Sequence, residues 1–112
     1  MRVDDLMIGS LVGYIKDEDF IKIIITPDLM KECEEYPDRF FPLPVFEDNL
    51  IKLGFKCIVV EGYCASYDLD GFIIDMIPFT SMYHQDIRIY HWHQLQKLYY
   101  IKTRKKLPIK IL

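Results

Sequence analysis

The period at which apolar residues recur changes several times along the chain, and each change predicts an element. Leu6 to Ile15 is a short apolar run interrupted by Gly9 and Gly13, and the charged Lys16-Asp17-Glu18-Asp19 separates it from Phe20-Ile21-Lys22-Ile23-Ile24-Ile25. Two such runs around a polar turn read as a β-hairpin, and the β-branched content of the second predicts that it is largely buried. At Thr26-Pro27-Asp28 the pattern turns helical, because Thr caps well, Pro suits the first helical position and Asp suits the positive helix end. A short helix over 27–36 follows, and Pro37 stops it. Asp38 to Pro44 then reads as an extended connector with buried aromatics, and Phe46, Leu50 and Leu53 share one helical face before Gly54 closes a second short helix.

From Phe55 the period becomes two. Phe55 to Val60, Tyr63 to Tyr67 and Gly71 to Ile77 read as three strands, with Glu61-Gly62 and Asp68-Leu69-Asp70-Gly71 as the turns. This is an antiparallel meander, which Ile87-Arg88-Ile89 would extend. A last helix over about 91–105 follows, Pro108 ends it, and Ile109 to Leu112 would add an edge strand or fray. The predicted fold is a single α+β domain over residues 1–112, with an N-terminal hairpin as part of an SH3-like half-barrel, two short helices, the meander, and the C-terminal helix packed across the sheet.

Composition adds little to that picture and charge adds more. A chain of 112 residues, 51% hydrophobic, can bury its own core without metal or disulfide staples. The net charge of −3 hides an asymmetry: residues 1–86 hold every acid and sum to −10, while residues 87–112 hold seven bases. A basic element on an acidic body implies either an anionic partner such as nucleic acid or attraction between the two halves. No apolar run approaches a bilayer's span, so no membrane partner is expected. Acids stand where a signal peptide wants a basic start, so a cytoplasmic protein is expected. Cys33, Cys57 and Cys64 are an odd set without a C-x-x-C, which argues against a disulfide framework, although a turn between Cys57 and Cys64 could bring those two together.

Few residues suggest chemistry. On the last helix Trp92, Leu95, Leu98 and Tyr99 share one arc, and His93, Lys97, Tyr100 and Arg104 fall on the opposite one. With Lys105 and Lys106 these four would make a basic, aromatic surface suited to phosphates and bases, or the solvated side of an amphipathic helix with cations near its negative end. His84, His91, His93, Cys57 and Cys64 are zinc-ligand types, but their spacing forms no knuckle, so no metal and no cofactor is expected. Asp68-x-Asp70-Gly71 lacks the remaining ligands of a calcium loop and reads as a turn. No nucleophile elbow, P-loop, dinucleotide fingerprint or H-E-x-x-H occurs, so no catalytic residue is assigned and a non-enzymatic protein is expected.

Three segments carry a resemblance: Leu6-Met7-Ile8-Gly9-Ser10-Leu11-Val12, then Pro42-Leu43-Pro44 leading to Asn49-Leu50-Ile51-Lys52-Leu53-Gly54-Phe55, and above all His93-Gln94-Leu95-Gln96-Lys97-Leu98-Tyr99. Together the sequence resembles a family of small uncharacterised proteins from phages, prophages and genomes of gut bacteria, whose C-terminal helix carries H-Q-L-Q-x-L-Y. It departs from that pattern at Val45-Phe46-Glu47-Asp48, at Trp92 and in its basic tail. The resemblance implies an origin in a mobile element and no catalytic residues. In physical terms the motif reads first as architecture: Leu95 and Leu98 pack the helix on the sheet, while His93, Gln94 and Gln96 bond to backbone left open at the helix start or a strand edge.

The expected function is therefore non-enzymatic binding of a host or phage protein, with inhibition as one outcome. The expected surface is an exposed sheet edge or the connector Arg39-Phe40-Phe41-Pro42, and a self-associating dimer would use the same edge. The alternative is a nucleic-acid-binding module built on Lys97, Tyr100, Arg104, Lys105 and Lys106.

Overall fold

The computed structural model describes residues 1–77 and 81–109. Strands β1 (Leu11–Lys16) and β2 (Asp19–Ile24) form the expected hairpin, and helix α1 (Pro27–Glu35) follows. A 3-10 turn (Pro37–Arg39) leads into a two-residue strand β3 (Phe40–Phe41) and then α2 (Glu47–Lys52). The meander comprises β4 (Lys56–Glu61), β5 (Cys64–Leu69), β6 (Phe72–Met76), β7 (Met82–His84) and β8 (Ile87–Ile89), and α3 (Trp92–Thr103) closes the described fold. Two antiparallel sheets result, in the orders β2-β1-β3 and β4-β5-β6-β7-β8, giving the α+β architecture expected. The N-terminal hairpin thus sits in an open three-stranded sheet of its own. Of the anticipated terminal strand, residues 110–112 lie outside the described residues.

Turn chemistry explains most of the registers. Asp17 and Glu18 both adopt positive φ (53° and 70°), as do Asp70 and Gly71 (52° and 86°), which is the geometry of a two-residue loop matched to strand twist. At α1 the Thr26 hydroxyl accepts the Leu29 N–H at 3.3 Å, as the sequence suggests.

Each face of β1 feeds a different core. Val12 and Tyr14 join Leu6, Ile25, Cys33 and Phe40 beneath α1, and the Tyr14 hydroxyl donates to the Glu32 carboxylate. Leu11 points the other way, into the larger core that holds Ala65, Tyr67, Phe72, Ile74, Met76, Trp92, Leu95 and Tyr99. Gln96 of α3 ties the two cores together. Its Oε1 accepts the Leu11 N–H at 2.7 Å and its Nε2 donates to the Gly9 carbonyl at 2.8 Å, so a helix side chain completes the backbone pairing at the start of β1. Gln94 serves the helix start, its Oε1 accepting the N–H groups of Tyr90 and His91 at 2.8 and 3.1 Å.

Three expectations need correction. Strand β2 is not largely buried: Asp19 to Lys22 are exposed, because β2 is an outer strand of its sheet and among the described residues pairs only with β1. Strand β4, equally apolar in composition, is exposed along its whole length for the same reason. Phe46 caps α2 from solvent, leaving Leu50 and Leu53 as the inward face. Cys57 and Cys64 do not meet, since Cys57 pairs with Tyr67 and Cys64 with Glu61, and all three cysteines are free thiols.

Candidate partner-binding surface

The connector divides its two aromatics between opposite sides of the small sheet. Phe40 is 1% exposed and packs against Tyr14 with ring centroids 5.0 Å apart, so it belongs to the core and not to a docking surface. Phe41, its neighbour, turns outward by strand alternation and is 37% exposed. Arg39 is engaged within the fold, lying 4.0 Å over the Tyr36 ring and 3.7 Å from the Glu32 carboxylate.

Phe41 does not stand alone. Its ring lies 6.4 Å from that of Phe20 on β2, across β1. The gap is bridged because β1 places Gly13 between them: a Cβ on Gly13 would fall 2.6 Å from the Phe20 ring and 3.3 Å from Leu43. The Phe20 ring thus occupies the space a side chain at position 13 would need, and the register sets Ile15 directly opposite Phe20. The result is an apolar surface of Ile15, Phe20 and Phe41, between 37 and 55% exposed, with Lys22 on the same face. The edge partner Phe20 was missed in the sequence because its strand reads as buried. The signal that could have found it is Gly13, since glycine inside a strand marks close approach.

The second expected surface is altered more. His93 is buried, not on the solvent side of α3. It packs parallel to His91 with ring centroids 5.6 Å apart, in a recess of about 320 Å³ lined also by Asp5, Gln94 and Lys97. Burial pushes the His93 imidazole below its ordinary value, His91 and Lys97 push the same way, and Asp5 opposes them. Its Nδ1 is buried without a hydrogen-bond partner. The lining of the recess sets two imidazoles beside the Asp5 carboxylate, the Gln94 amide and the Lys97 ammonium, and includes no serine, threonine or cysteine. Among the described residues no group of three or more His, Cys, Asp or Glu could hold a metal ion.

Lys97 and Tyr100 are exposed on α3 as anticipated. The helix ends at Thr103, short of Lys105, because Arg104 enters the left-handed region (φ 63°, ψ 17°) and its N–H donates to the Tyr100 carbonyl at 2.8 Å. Arg104, Lys105 and Lys106 are exposed beyond it, and Leu107 returns to the large core. Among the described residues none of these cations forms a salt bridge with the acidic body. No described helix is long and apolar enough to cross a membrane. Comparison with protein-family models, with curated proteins and with solved structures gives no match.

Proposed function

We propose that this protein is a non-catalytic accessory factor of phage or mobile-element origin that binds a host or phage protein through the Ile15–Phe20–Phe41 surface. The observation that carries the reading is the approach of Phe20 and Phe41 over Gly13: strand alternation sets these two large aromatic rings on the face opposite Phe40, where they stay exposed within 6.4 Å of each other. Aromatic anchors held by a rigid sheet are the usual centre of a protein–protein contact. Lys22 at the margin supplies the polar rim such contacts carry. Covering a partner's surface in this way would suit an inhibitor. A cytoplasmic site of action belongs to the same reading and is supported by the three free thiols.

The test is a photo-cross-linking residue placed at position 41 and, as a control, at position 102 on α3. The reading expects a discrete adduct with a bacterial protein from position 41 only. Equal adducts from both positions, or none from 41, would contradict it.

A second reading, nucleic-acid binding, is supported by the exposure of Lys97, Tyr100, Arg104, Lys105 and Lys106 free of salt bridges among the described residues. It expects affinity for labelled DNA or RNA that falls steeply with salt and is lost in R104A/K105A/K106A. Absence of binding at low salt would remove it.

A further inference from the structure

Among the described residues strand β4 is a free edge bearing Ile58, Val59 and Val60, each 48 to 67% exposed, with Tyr63 78% exposed at the turn beyond. An apolar edge of this kind templates strand addition unless something covers it. From its pairing geometry we infer that the occupant is the β4 strand of a second copy, antiparallel, with Lys56 facing Glu61 of the second copy and Cys57 facing Val60 of the second copy. The inference is independent of the aromatic surface on the other sheet.

The register identifies which backbone groups are open. The two-residue loops Gly62-Tyr63 and Asp70-Gly71 make Glu61/Cys64 and Leu69/Phe72 the closing pairs of their hairpins. Alternation from both ends then directs the N–H and C=O of Ala65 and Tyr67 toward β6. Their opposite numbers on β4, Val60 and Cys57, therefore face outward. In a regular strand such open residues stand two apart. Here they stand three apart, because the register shifts between Cys57 and Val59 and Ile58 is an extra residue. A regular foreign strand would bring one residue between its bonding positions and would not match. A second copy brings the same two residues, Ile58 and Val59, and matches at both ends.

The bulge also makes the side chains self-complementary. Five positions apart, Lys56 and Glu61 would normally point to opposite faces. With the extra residue both share the open face of the sheet, opposite Asp68 and Cys64, while Cys57 and Val60 share the helix-covered face with Tyr67 and Ala65. Pairing about a two-fold axis between Ile58 and Val59 sets opposite charges together twice, covers the exposed apolar residues, and joins the two five-stranded sheets with α3 on the same side in both copies.

Three variants test this. Val60→Pro removes an outward N–H without touching the bonds to β5, so it should fold, as judged by circular dichroism, and convert a dimer into a monomer by sedimentation equilibrium. V60C should form an intermolecular disulfide with Cys57 under mild oxidation, and V60C/C57S should not. Each of K56E and E61K should weaken the dimer, and K56E/E61K should restore it. Wild type that stays monomeric at the highest attainable concentration, including one whose edge instead accepts a strand of another protein, would overturn the inference. So would a dimer that survives V60P, or cross-linking that persists in V60C/C57S.

Discussion

Two side chains of α3, three residues apart, determine how the ends of the chain are held. Gln96 satisfies a buried donor and an acceptor at the start of β1, and its truncation leaves both without a partner. Unpaired buried groups cost about 1–3 kcal/mol each, so Q96A should lower the urea midpoint by the equivalent of about 2 kcal/mol or more. His93 is buried with its pKa depressed by desolvation. The unfolded chain then binds the proton more readily than the folded one. Stability is full above the ordinary imidazole value of 6.5 and declines as pH falls below it toward the folded pKa. Denaturation midpoints measured across that window should slope upward with pH, and H93Q should flatten the slope. At the alkaline end, burial and the Glu47 carboxylate push the Tyr67 phenol from 10.0 up to about 12. Its contribution is complete below pH 10 and is lost as pH rises through that interval, so Y67F should resist alkaline unfolding. Gln94 and Gln96 of the H-Q-L-Q segment were legible in sequence as donors and acceptors for open backbone, whereas His93, expected to do the same, has its Nδ1 buried without a partner. The burial of His93 was not legible, because helical projection gives a direction and says nothing of Asp5 and the N-terminal segment that cover it.

Among elements, turns were readable and burial was not. Asp70-Gly71, the charged tetrad before Phe20 and the Thr26 cap each announce a local geometry that needs no tertiary partner. Strands β2 and β4 carry the same β-branched composition as a central strand, and what makes them edges is a topology that sets no second described strand beside them. Strand β7 was not anticipated since Met82-Tyr83-His84 is too short to establish a period, and only its pairing with β6 and β8 defines it. The helix end was overrun by two residues because Arg104 takes a conformation that favours glycine. The β1–β2 loop offers a direct check on this level of the account. Glu18 stands at φ 70°, so E18G should stabilise the hairpin by about 0.5–1 kcal/mol in thermal unfolding, whereas a register set by the strands alone would show no gain. Gly13 tests the aromatic surface in the opposite sense: G13A should displace the Phe20 ring and weaken partner capture while leaving the Tyr14–Phe40 core intact.

At the scale of the whole molecule, β1 and α3 bind two cores into one unit, and outer strands of both sheets carry exposed apolar residues, Phe20 and Ile21 on β2, Phe41 on β3 and Ile58 to Val60 on β4. The first point predicts coincident unfolding by Trp92 fluorescence and by far-ultraviolet dichroism, with the two curves separating in Q96A. The second carries the functional reading, and it competes with the charge asymmetry of the chain, which draws attention to the basic tail. The most direct test retains proteins from bacterial lysate on immobilised wild type, F20D/F41D and R104A/K105A/K106A, each at low and high salt, with quantification by mass spectrometry. The account predicts a specific partner that is lost with F20D/F41D, kept by the triple-alanine variant, and little affected by salt. Retention that survives F20D/F41D but vanishes in R104A/K105A/K106A or at high salt would contradict it and make the cationic end of α3 the working surface.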